Sequence, residues 1–189
     1  MKPLRTAGGR PRLRLVPTPR NAVRQDGSPP VAGRMHVEHE PARCERCDAV
    51  YQRKTWRTGR PVPPDKVTWT LCPACVQIEE QEYFGRLSIT RPLPSERETE
   101  VRRRIWNVER RARETQPERR LVRIEHTRTG IEVLTTSQKL AHRIAHELEK
   151  AFGGRAHYEW ADRERVLDAT WDPEAKPVHG APLKHHTKT

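Results

Sequence analysis

Four cysteines, Cys44, Cys47, Cys72 and Cys75, are the only ones in the chain and fall in a C-x2-C-x24-C-x2-C pattern. Two residues between paired thiolates let both sulfurs of a tight turn point at one ion, and two such turns complete the tetrahedral S4 set that zinc prefers. All four ligand positions are then closed. No position is left for a reactive water, so the pattern predicts one structural Zn2+ rather than a catalytic centre. Two disulfides or a redox C-x2-C are the competing readings. Neither cysteine pair sits in a β-α-β context of thioredoxin type, and no apolar secretory signal opens the chain to imply an oxidising compartment. The x24 spacer is longer than the fifteen to twenty usual for this pattern. Arg57 to Lys66, with three Pro and one Gly, reads as a loop inserted between two short strands.

Little else in the composition can build a core. Leu, Ile, Val and Phe make up 34 of 189 residues, while the formal net charge is +12. Such a balance borders on disorder. The five Trp and three Tyr all lie between residues 51 and 171, so the folded part is expected there. No run approaches the roughly 18 to 20 apolar residues of a membrane span. The expectation is a cytoplasmic protein without a membrane partner. Six Pro in residues 1 to 34 would also break the amphipathic helix of an organelle transit peptide.

The excess charge is concentrated. Residues 1 to 34 carry +7 and residues 95 to 120 carry +3. The first segment mixes Pro, Gly and Arg without an apolar period and reads as a disordered basic arm. Arg10, Arg12 and Arg14 in it are candidate phosphate contacts, since each cation at a phosphate releases condensed counterions. A solvated tail that only aids solubility is the equal alternative.

Ser95-Glu96-Arg97-Glu98 has the form of a capping box and predicts a helix start. Val101, Ile105, Val108 and Ala112 then line one narrow apolar stripe, and Pro117 marks the end. This is a long, basic surface helix over 95–120. Glu98 with Arg102, Glu100 with Arg104 and Glu109 with Arg113 stand at i and i+4, as in a salt-bridged solvated helix. Trp106 stands among Arg102, Arg103, Arg110 and Arg113, a set suited either to stacking on a nucleobase or to internal packing.

From Leu121 the pattern predicts a hairpin around Thr127–Gly130, then an amphipathic helix over 137–152 with Leu140, Ala141, Ile144, Ala145, Leu148, Ala151 and Phe152 on one face. A second hairpin follows across Asp162 to Arg165, pairing Tyr158 and Trp160 with Leu167, Ala169 and Trp171. His142 and His146 on the helix read as solvent-facing, because Arg143 stands where the H-E-x-x-H metal motif needs Glu. The expected fold is α+β. Its parts are a disordered arm (1–34), a four-Cys zinc ribbon (35–94), the basic helix (95–120), a β-β-α-β-β module (121–171) of zero net charge, and a short disordered tail (172–189).

No phosphate-binding or dinucleotide Gly-rich loop and no nucleophile elbow occurs, so neither an enzyme nor a small-molecule substrate is expected. The C-P-x-C knuckle, the Glu/Arg-rich helix and the stretch from Thr129 to Arg143, with its paired Thr135-Thr136, resemble a family of small bacterial zinc-ribbon proteins over roughly residues 40 to 172. More distantly they are similar to the N-terminal part of the archaeal and eukaryotic adaptor for large ribosomal subunit export, named after nonsense-mediated decay. That resemblance implies zinc held by the four Cys and association with RNA or a ribosomal subunit. The neutral C-terminal module would then face a protein partner. A DNA-binding regulator and a zinc-ribbon protein–protein adaptor are the alternatives.

Overall fold

A computed structural model describes residues 23–24, 37, 39–161 and 166–176. In chain order the elements are β1 (Val23–Arg24), β2 (Ala42–Cys44), β3 (Val50–Gln52), β4 (Thr55–Arg57), a 3-10 turn (Pro64–Lys66), β5 (Thr68–Thr70), α1 (Pro73–Glu79), β6 (Glu82–Tyr83) and β7 (Gly85–Ile89). There follow α2 (Ser95–Thr115), β8 (Leu121–Thr127), β9 (Gly130–Thr135), α3 (Gln138–Phe152), β10 (Arg155–Ala161) and β11 (Val166–Asp172). The fold is mixed α+β with two mixed sheets, ordered β4-β3-β2-β5 and β10-β11-β7-β9-β8, beside a short β1-β6 pair. Among the described residues no helix is long and apolar enough to cross a membrane.

Two of the expected boundaries move. β7, assigned by its sequence to the cysteine segment, is instead the central strand of the larger sheet, antiparallel to β9 and parallel to β11. The C-terminal module is therefore larger than β-β-α-β-β, and α2 is the crossover between β7 and β8 rather than a separate element. At the other end, Asp172 still belongs to β11, where its carboxylate accepts from Arg91. Within the basic arm, Val23–Arg24 pairs with β6, while Arg10, Arg12 and Arg14 lie outside the described residues. Residues 177–189 of the tail also lie outside them.

The helices α2 and α3 cover one face of the larger sheet. Alternation along the strands turns Leu87, Ile89, Ile131, Val133, Ala169 and Trp171 toward Val101, Ile105, Leu140, Ile144 and Leu148, all buried. The predicted stripes of both helices are thus the ones buried. Ala151 is the exception and is exposed, while Phe152 beside it packs half-buried against the core. The second hairpin has the expected register, Tyr158 opposite Ala169 and Trp160 opposite Leu167. The opposite face carries a smaller apolar cluster of Tyr83, Leu134 and Val166 beside an ionic one, in which Arg86 lies 3.8 Å from Glu132 and 3.6 Å from Asp168.

The capping box does not form. Pro94 occupies the cap position, its carbonyl accepts from the Glu98 amide at 2.9 Å, and no side chain caps the helix. The fixed φ of proline supplies the helix entry, which frees the Glu98 carboxylate for Arg102 at 2.6 Å. The two threonines after β9 act as latches. Thr135 Oγ1 donates to the Ser137 and Gly85 carbonyls, and Thr136 Oγ1 lies 2.6 Å from the Glu118 carbonyl and 2.9 Å from the Arg120 amide.

Gly85 lets α3 approach β7. A Cβ there would stand 2.6 Å from both Ala141 Cβ and Thr135 Oγ1, neither of which can swing away. Gly85→Ala is expected to cost about 1–3 kcal/mol through overpacking, lowering the thermal midpoint by several degrees. An unchanged midpoint in calorimetry would mean that α3 does not sit this close to β7.

Candidate metal centre and basic helix

The first knuckle forms because β2 ends in a tight turn. The Cys44 amide donates to the Ala49 carbonyl at 2.8 Å, and Asp48 adopts φ 60°, the left-handed conformation that Asp tolerates. The parallel pairing of β2 with β5 sets Cys44 opposite Thr70, two residues before Cys72. The second knuckle is the start of α1, where Cys72 is the cap residue and Pro73 opens the first turn. Two elements separated by the long spacer thereby aim four sulfurs at one point.

All four Sγ atoms lie within 4.8 Å of one another. Cys44 and Cys75 are 3.7 Å apart, and Cys47 and Cys72 3.6 Å apart. An ion about 2.3 Å from each of four tetrahedral sulfurs would hold them about 3.8 Å apart, so the donor set fits a metal of that size. Cys44, Cys72 and Cys75 are buried, and the Cys72 amide donates to Cys44 Sγ at 3.3 Å. Hydrogen bonds from the other three thiols pull Cys44 far below the usual thiol range, while contact with Cys44 and Cys47 pushes Cys72 and Cys75 far above it. Four thiolates this close need a cation among them. The sequence-predicted ligands are thus brought together as one candidate metal site.

No family model, curated protein or solved structure matches the chain. The functional reading therefore rests on its own residues.

Along α2 the ion pairs differ from those expected. Glu98 meets Arg102, as the i and i+4 spacing predicts. Arg104, however, reaches Glu147 of α3 at 2.6 Å rather than Glu100, and Glu109 pairs with Arg120 at 3.3 Å rather than Arg113. Tertiary partners displace local ones where packing brings them closer. Burial raises the Glu109 carboxyl above its ordinary range, while Arg120 and Arg113 oppose that shift. Arg102 also lies 3.1 Å from His126 of β8, so it is committed to the protein. Trp106 is not packed inward: it is 55% exposed. Arg103 and Arg110, three residues before and four after, are exposed on the same stripe. Arg113 lies half-buried at its end.

Two further tryptophans are exposed: Trp69, which the sequence reading did not single out, and Trp160, which it placed on a paired hairpin face without its exposure. Trp69 is 42% exposed with the Arg43 guanidinium 5.6 Å from its ring centre, and Trp160 is 56% exposed at the edge of the larger sheet. Alternation with apolar neighbours makes such residues indistinguishable from core positions in sequence. His142 is exposed and stacks on Tyr158 with ring centres 4.4 Å apart.

Proposed function

We propose that the chain is a non-enzymatic zinc-ribbon protein that binds RNA, with a ribosomal subunit as its target. The observation that carries this is Trp106, exposed on one stripe of α2 between the exposed residues Arg103 and Arg110. An indole held in solvent is a stacking platform for an unpaired base, and flanking arginines are suited to its phosphates. The sulfur set supports zinc as the resident ion, with Cys44, Cys47, Cys72 and Cys75 as its ligands. Zinc there would fix the relative positions of β2 and α1 and would not act on a substrate.

The test is co-sedimentation of the tagged full chain with ribosomal particles from its own lysate, with and without RNase, alongside Trp106→Ala and Arg103→Gln/Arg110→Gln. Each variant is expected to weaken association; base–aromatic stacking contributes about 1–3 kcal/mol, roughly 5- to 150-fold in affinity. Association that survives both substitutions removes α2 from the interface. Preference for duplex DNA would favour the regulator reading, and binding to neither nucleic acid would favour the protein adaptor.

A further inference from the structure

The C-terminal module has no net charge over residues 121–171, yet the structure does not spread its charges evenly. On α3, Lys139, Arg143 and Lys150 are exposed. Both carboxylates of the same helix are engaged by the protein itself. Glu147 meets Arg104 of α2 at 2.6 Å, and Glu149 accepts from the Ala156 amide at 3.4 Å. Much of the compensating acid sits on the other side of the sheet, where Glu132 and Asp168 flank Arg86.

The cations face a particular place. Arg143, Glu147 and Lys150 recur at i, i+4 and i+7, so they share the flank of α3 on which Glu147 meets α2. Lys139 is one turn before Arg143 on that strip. The two helices run antiparallel. Arg97, near the start of α2, donates to the carbonyl of Phe152 at the end of α3, and Arg104 reaches Glu147. At about 1.5 Å per residue, Arg111 comes roughly level with Lys139. Arg111 is exposed and, by helical spacing, lies two turns along from the paired Arg104 on the same side of α2. The acid nearest this strip on α2 is the exposed Glu100, toward the Phe152 end.

We infer that the groove between α2 and α3 is a binding track for the phosphate backbone of RNA, held by Arg111, Lys139, Arg143 and Lys150. The inference rests on the RNA-binding reading and adds a second contact, distinct from the Trp106 stripe. That stripe lies on the opposite flank of α2: Trp106 is about 200° round the helix from Arg104. From Lys139 to Lys150 the strip runs about 16 Å along the helix. Cations at that spacing, with Glu147 between them paired to Arg104 and Glu149 turned to the Ala156 amide, are complementary to a polyanion and give it no base-specific partner. A protein partner on this module, expected from its neutral total, would instead have to tolerate a predominantly basic strip with Glu100 at one end.

The experiment measures binding of the full chain to a labelled hairpin RNA with a single-stranded tail, across a salt series. Lys139→Gln/Arg143→Gln/Lys150→Gln is compared with the charge-retaining Lys139→Arg/Arg143→Lys/Lys150→Arg and with Arg103→Gln/Arg110→Gln. The neutral triple variant is expected to bind at least tenfold more weakly at moderate salt. Its plot of log affinity against log salt should be shallower by about 2 to 3, as for three lost phosphate contacts. The charge-retaining triple should bind like the parent. If the neutral triple keeps the parent affinity and slope while the Arg103/Arg110 variant weakens, the groove is excluded and the RNA reading stands. If the charge-retaining triple is as weak as the neutral one, the electrostatic account is overturned. If the parent chain binds no RNA even at low salt, both readings fall.

Discussion

Stripping the metal from the full chain with a strong chelator is expected to unfold the cysteine sheet and leave the larger sheet folded. The reason is the composition of the smaller core. Its buried residues are Cys44, Ala49, Trp56, Cys72, Ala74 and Cys75, so three of the six are candidate metal ligands and Trp56 is the only large side chain. The four strands around it are only three residues each. So little apolar burial cannot offset the entropy of ordering the segment. A structural zinc, at about 10–16 kcal/mol in small zinc-binding peptides near neutral pH, can. The larger core holds Leu87, Ile105, Leu140, Ile144, Leu148 and Trp171 and contains no cysteine.

The measurement is hydrogen exchange with elemental analysis of the same sample. One zinc per chain is expected before chelation. Afterwards the amides of β2, β3 and β5 should lose protection and the loop between β4 and β5 should become a cleavage site, while Leu87, Ile89 and Val133 keep theirs. Cys44→Ser should reproduce the pattern without chelator. Retained protection at Val50 after complete metal removal would show that the site does not hold the fold. A joint loss at Val133 would show instead that the two sheets unfold as one unit.

What could be read from the sequence divides along the range of the interactions. The period of Leu140, Ile144 and Leu148 is a property of consecutive residues, and α3 follows it between the Ser137 cap and Gly153. The hairpin of β8 and β9 is equally local, closed at Thr127 and Gly130. The ligand set is legible for a chemical reason, because four thiols and no others leave one arrangement for a tetrahedral ion. β7 was not legible as a central strand. Its partners, β9 and β11, lie far along the chain, and nothing within Gly85–Ile89 encodes a pairing of Leu87 with Val133 or Ala169. Ion pairs follow the same division: Glu98 with Arg102 is local, whereas Arg104 with Glu147 requires two helices to be docked first. Net charge per segment failed at the C-terminal module because a sum over residues does not record which face each one occupies. Whether Trp106 packs or faces solvent is likewise decided by the neighbours that the fold supplies.

Trp171→Ala is expected to be the most damaging single substitution in the larger sheet. Trp171 is fully buried and, among the described residues, the largest such side chain, next to the last position of β11. Its main chain lies between two neighbours, opposite Ala156 on β10 and Ile89 on β7, and its carbonyl accepts from the Thr90 amide at 3.2 Å. The indole N–H donates to the Gly153 carbonyl at 3.0 Å, tying the end of α3 to the sheet, with the Phe152 ring 6.2 Å away. Truncation leaves a cavity beneath α3 and removes the partner of a carbonyl at the helix end. Core Trp→Ala changes cost about 3–5 kcal/mol, a fall of roughly 6–20 °C in midpoint for a domain of this size. Trp171→Phe retains most of the bulk and loses the hydrogen bond, so about 1 kcal/mol is expected for that loss, plus a share for incomplete filling. Thermal unfolding followed by circular dichroism ranks the two. An alanine variant that melts with the parent would place Trp171 outside the core. Metal content gives the converse of the chelation experiment. Trp171 belongs to the core without cysteines, so at temperatures where Trp171→Ala remains folded it should still carry one zinc per chain, held by Cys44, Cys47, Cys72 and Cys75. Loss of zinc alongside the loss of stability would instead couple α3 to the cysteine knuckles, through the contacts that α1 makes with β8.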